Sequence, residues 1–63
     1  ENIAVGKVHA VIIYRENEYF IKDMNSRNGT FVNNTRIESN LEFKIKNNDR
    51  ITLANQDYLF TVA

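Results

Sequence analysis

The sequence predicts an all-β fold, an antiparallel β-sandwich, on three observations. Short apolar runs rich in β-branched and aromatic residues recur along the chain, turn-forming pairs separate them at short intervals, and no segment carries a helical period. Asparagine supplies the turns, and Pro is absent. Residues 8–15, from Val8 to Arg15, read as the first strand, and Glu16-Asn17 as a tight turn into a second strand over residues 18–23. Thr30-Phe31-Val32 is a brief strand, Asn33-Asn34 a second tight turn, and Thr35-Arg36-Ile37 the return. Residues 41–45 alternate apolar and charged side chains at period two, which directs Leu41, Phe43 and Ile45 to the core and Glu42 and Lys44 to water. Residues 46–49 break that strand. A last hairpin pairs residues 50–54 with 57–62 around Asn55-Gln56. Ile51 and Leu53 point inward, and either Tyr58, Phe60 and Val62 or the opposite set joins them.

Composition narrows the function classes. The chain has 63 residues, room for a single domain or a piece of one, and domains of this size bury only about 60% of their unfolded surface. Such a core is marginal, so support from a partner or from further sequence is expected. There is no cysteine, hence no disulfide framework, thiolate ligand or thiol nucleophile, and a reducing cytoplasmic setting fits. No apolar run approaches the roughly 18 residues of a membrane span, and no signal-peptide pattern opens the chain. The chain starts at Glu1, which reads as part of a longer protein. Eight basic and eight acidic side chains cancel, removing the broad positive field that nucleic-acid binders use, so any recognition of phosphate is local. One histidine and no paired carboxylates leave few catalytic arrangements, and neither an enzyme nor a cofactor or metal site is expected.

The most informative stretch is residues 23–33, a polar, basic, turn-forming segment between two strands. Asn28-Gly29 carries a strong hairpin signal, since both residues tolerate the positive φ of a type I′ turn. Lys7 and Arg27, taken singly, would be solvated surface charges, and their value lies in converging. His9, a lone histidine on a strand, reads as a hydrogen-bonded structural residue. Asp23 and Asp49, at strand ends, read as acceptors for turn backbone rather than as general bases. The seven aromatic residues fall at strand spacing and read as core and cross-strand pairs, not as a base-stacking platform. Asn28-Gly29-Thr30 and Asn33-Asn34-Thr35 form glycosylation sequons that matter only in a secretory pathway.

With Gly6-Lys7-Val8-His9-Ala10 upstream and Asn48-Asp49-Arg50-Ile51 downstream, this segment resembles the forkhead-associated (FHA) domain over roughly residues 4 to 62. The resemblance implies an FHA/SMAD-like sandwich, incomplete at its N-terminus, that binds phosphothreonine peptides in intracellular signalling. A phosphothreonine carries close to two negative charges and several strong acceptors, so its site gathers donors and cations in a small volume. The resemblance assigns phosphopeptide binding to Gly6, Lys7, Ser26, Arg27 and Asn28, and loop bracing to His9 and Gly29. Gly6 stands where the family has a serine and offers only its backbone N–H. Lys7 stands in place of an arginine, a point charge rather than a planar fork. A further arginine of the family falls outside the chain. The alternative it implies is a degenerate scaffold that binds a protein partner without reading phosphate. Because the family's first strands are absent, a strand-exchanged homo-oligomer is a third expectation.

Overall fold

The computed structural model describes residues 8–63, and Gly6 and Lys7 lie outside the described residues. The chain runs through β1 (Ala10–Arg15), β2 (Glu18–Asp23), β3 (Thr30–Val32), β4 (Thr35–Arg36), β5 (Glu42–Ile45), β6 (Arg50–Leu53) and β7 (Gln56–Leu59). There is no helix among the described residues. Two antiparallel sheets result, one ordered β1-β2-β5 and the other β4-β3-β6-β7, the sandwich that the strand pattern predicts. β1 starts at Ala10, two residues later than the β-branched run suggests, although Met24 N–H still donates to His9 C=O at 2.9 Å.

Asparagine does the work of glycine at the chain reversals. Among the described residues, six of the eight non-glycine residues at positive φ are Asn17, Asn25, Asn33, Asn34, Asn40 and Asn48; the other two are Glu16 and Ala54. Glu16-Asn17 and Asn33-Asn34 each place both central residues at positive φ between strands paired across two residues, which is the type I′ geometry that matches strand twist. The last hairpin differs by one residue from its expected place. Leu53 pairs with Gln56, so the turn is Ala54-Asn55, with Ala54 at φ 57°.

Asn28-Gly29 is not a type I′ hairpin turn. Gly29 has φ 88°, but Asn28 is absent from the positive-φ residues, and β2 and β3 belong to different sheets. The segment between them crosses from one sheet to the other instead of folding one strand back on its neighbour.

The core consists of Ile21 and Ile45 from the first sheet, Val32 and Ile51 from the second, and Ile37 just after β4, with Ala10, Tyr19, Leu53 and Phe60 packed against them. Of the three residues expected to point inward in β5, only Ile45 is buried; Leu41 and Phe43 are 56% and 40% exposed. Leu41 falls before the strand. Phe43 stands opposite Ile21, but β5 is an edge strand, and the cleft Phe43 lines with Val32 and Thr35 is open. Of the set Tyr58, Phe60 and Val62, only Phe60 packs on the core; Tyr58, opposite Ile51, and Val62 are 54% and 39% exposed, because β7 is an edge strand. At that side an apolar cleft of about 220 Å³, lined by Ile12, Ile21, Ile51, Leu53, Tyr58 and Phe60 among others, includes residues of the edge strands β1 and β7.

Candidate functional site

The segment linking the sheets is organised by one carboxylate. Asp23 ends β2 and is fully buried; a charge there is tolerated only if hydrogen bonds replace its water. Its Oδ1 accepts the hydroxyls of Ser26 at 2.5 Å and Thr30 at 2.6 Å. Its Oδ2 accepts the Ser26 N–H at 3.0 Å and the Ser39 hydroxyl at 2.8 Å. Burial pushes the Asp23 carboxyl up, but the three hydroxyls and the Ser26 N–H outweigh it and hold the group well below the usual carboxylate range. It therefore stays ionised, a fixed negative post around which three segments fold: residues 24–29, the start of β3, and the connection from β4 to β5, whose Asn40 N–H also donates to Asp23 C=O at 2.7 Å.

Ser26 relays this order along the loop. Its oxygen accepts the Gly29 N–H at 3.0 Å, while its hydroxyl proton and its N–H both go to Asp23. In this arrangement Ser26 shapes the loop and keeps no free donor. Asn25 at φ 62° and Gly29 at φ 88° supply the left-handed residues the path requires. His9 Nε2 lies 3.0 Å from Gly29 C=O, which requires the ring proton on Nε2, and 3.9 Å from Asp23 Oδ1. The segment before β1 is thus tied to the loop after β2.

Arg27 and Asn28 are exposed. Arg27 joins Val8, His9, Met24, Asn25 and Ser26 in lining an open cleft of about 530 Å³. The structure therefore brings His9, Ser26 and Arg27 to one cleft and His9 to Gly29; Asn28 adjoins Arg27 but is not in the cleft lining. Reading by sequence missed Ser39, which nothing near residue 39 marks, and understated Asp23. The Asp-x-x-Ser spacing of Asp23 and Ser26 was the available signal, because that offset suits a side-chain-capped turn.

A second aspartate brackets the opposite end of the sandwich. Asp49, nearly buried, accepts the N–H and ammonium of Lys46, both at 2.9 Å, and the Asn33 amide at 3.0 Å. These bonds, led by the Lys46 N–H, hold its carboxyl below the ordinary value. No group of three side chains suited to a metal occurs among the described residues.

Over 53 residues the chain is 38% identical to the probable E3 ubiquitin-protein ligase dma1 of Schizosaccharomyces pombe, an alignment covering 78% of this chain and 20% of that protein. The chain thus spans about a fifth of that relative's length, and the ligase named there is a description of the larger protein. The FHA domain matches residues 1–54, which takes in the segment before β1, the Asp23-centred loop and every strand through β6, and on that match the chain belongs to the FHA-domain family.

Proposed function

We propose that this domain is a phosphothreonine-dependent protein-binding module whose ligand seats between the segment around His9 and the loop of residues 24–29. FHA domains in general are phosphopeptide-binding interaction modules and not catalysts. The observation that carries the reading is the loop itself. Asp23 satisfies the donors of Ser26 and Thr30 from inside, while Arg27 and Asn28 remain exposed on a loop already held in shape. A preorganised loop loses little entropy on binding.

Residue roles follow from chemistry. Arg27 offers a planar fork to phosphate oxygens, and Asn28 an amide to the ligand main chain. By family resemblance Lys7 adds a charge and Gly6 a backbone N–H. Ser26, His9 and Gly29 brace. The exposed side chains of Val8 and Met24 in the same cleft suit the γ-methyl group that distinguishes phosphothreonine from phosphoserine.

The test is titration of the intact protein with peptides identical except for Thr, phospho-Ser or phospho-Thr at one position. Phospho-Thr should bind best, and its affinity should fall as salt rises, since the contact is charge-assisted and exposed. Equal affinity for the phosphorylated and plain peptides would refute the reading. A phosphate-independent scaffold is then favoured, for which the apolar cleft that includes the β1 and β7 edge strands is the supporting observation, either against another protein or in a strand-exchanged homo-oligomer.

A further inference from the structure

Arg36 occupies β4, opposite Phe31 at the edge of the four-stranded sheet, yet its guanidinium lies against the recognition loop. A Cβ built on Gly29 would stand 2.6 Å from Arg36 Nε, 2.8 Å from its Cζ and 3.0 Å from Nη2. All three are inside van der Waals contact, so the missing side chain at 29 is what admits the arginine. The Gly29 backbone is itself pinned, its N–H on Ser26 Oγ and its carbonyl on His9 Nε2. Arg36 is exposed. Arg15, Lys44 and Lys46 each hold a carboxylate, whereas Arg36 makes no ion pair among the described residues.

We propose that Arg36 is a second cationic anchor of the binding site, taking an acidic side chain that flanks the phosphorylated residue of the partner. The inference rests on the phosphopeptide reading above. Arg36 does not line the cleft shared by His9, Ser26 and Arg27, so a phosphate seated there leaves this guanidinium for a different charge on the same ligand. Its fork matches a carboxylate in two parallel hydrogen bonds. Arg27 and Arg36 then bracket Asn28-Gly29, a local positive pair in a chain whose formal charges cancel. The ligand this selects is an acidic phosphopeptide rather than any phosphorylated segment.

The test compares the intact protein with R36Q and R36K against two phosphothreonine peptides, one with Asp or Glu around the phosphothreonine and one with Asn or Gln in those places, beside the unphosphorylated neutral peptide. The parent should prefer the acidic peptide by about fivefold at low salt, as for an exposed charge pair of good geometry. R36Q should lose that preference while holding the neutral phosphopeptide as the parent does, R36K should retain part of it, and melting temperatures should stay level. Equal weakening of both phosphopeptides by R36Q would overturn the proposal, because Arg36 would then act by covering Gly29, and so would a parent without preference. If the neutral phosphopeptide binds no better than its plain twin, the phosphopeptide reading falls and the proposal with it.

Discussion

Replacing Asp23 by Asn leaves the shape of the buried side chain and removes its charge, which isolates what the carboxylate does. Four donors converge on it, two per oxygen. An amide keeps one oxygen, so two donors face an NH2 group. Hydrogen bonds to a charged acceptor are worth about 1.5–3 kcal/mol each; hydroxyl rotation and relief from burying a charge offset part of the loss. The net destabilisation should be ~3 kcal/mol. For a domain of this size each kcal/mol moves the midpoint by about 4–8 °C, giving a drop of roughly 12–24 °C. Total stability scales to roughly 3–9 kcal/mol, so the variant sits close to unfolding. Ser39→Ala gives a milder form, removing one donor to the charged acceptor and costing ~1.5 kcal/mol. The acid limb supplies an independent readout. A carboxylate whose folded pKa is depressed contributes stability that is fully present above its unfolded value near 3.9 and fades as pH falls below it. The parent should therefore lose stability below about pH 4, and Asp23→Asn should lose less there, with the remaining slope coming partly from Asp49, also depressed. Circular-dichroism melts between neutral and acid pH measure both effects. A midpoint within ~4 °C of the parent, together with an unchanged acid slope, would refute the account of Asp23 as the organising charge, since even 1 kcal/mol should shift it further.

Three further outcomes are expected. Asn28→Ala should remove most phosphopeptide affinity while leaving the melt unchanged, whereas His9→Ala, which breaks the bond to Gly29 C=O, should lower the melt and loosen the loop; paired melts and isotherms separate the two, and the reverse pattern refutes the division. Asp49→Asn should destabilise by ~2 kcal/mol through the loss of bonds to a charged acceptor yet leave phosphopeptide affinity intact, because Asp49 serves the far end of the sandwich; a coupled loss of affinity would contradict that placement. Ala54→Gly should raise stability by ~1 kcal/mol, relieving a left-handed residue that carries a Cβ, as chemical denaturation can read from the midpoint at constant slope.

The strands were legible because their limits are written in local chemistry. A pair such as Asn33-Asn34 tolerates the positive φ it adopts, and the runs between turns carry β-branched and aromatic residues. What escaped sequence reading depends on partners distant along the chain. The edge position of β5 left Phe43 half open, although its alternation is that of a buried strand. Asn28-Gly29 carries a hairpin signal, but the strands beside it go to different sheets, and only tertiary pairing decides that. The candidate site divides the same way. His9, Arg27 and Asn28 stand out by residue type and order, whereas Ser39 and Arg36 reach the loop from strands and connections whose sequence gives no sign of it.

The bond between Gly29 N–H and Ser26 Oγ bears on the chemical lifetime of the domain. Asparagine followed by glycine is the pairing most open to deamidation, in which the glycine nitrogen attacks the asparagine side-chain carbonyl, ammonia leaves as the succinimide closes, and water then opens the ring to aspartate or isoaspartate. Here the attacking nitrogen is the one held at 3.0 Å by Ser26, and Ser26 is itself fastened to a buried carboxylate. Ageing of Asn28 should therefore follow how often the loop opens rather than the dipeptide alone. Each event would set a new carboxylate beside Arg27, so the network that shapes the loop also protects the charge balance a phosphorylated partner would meet.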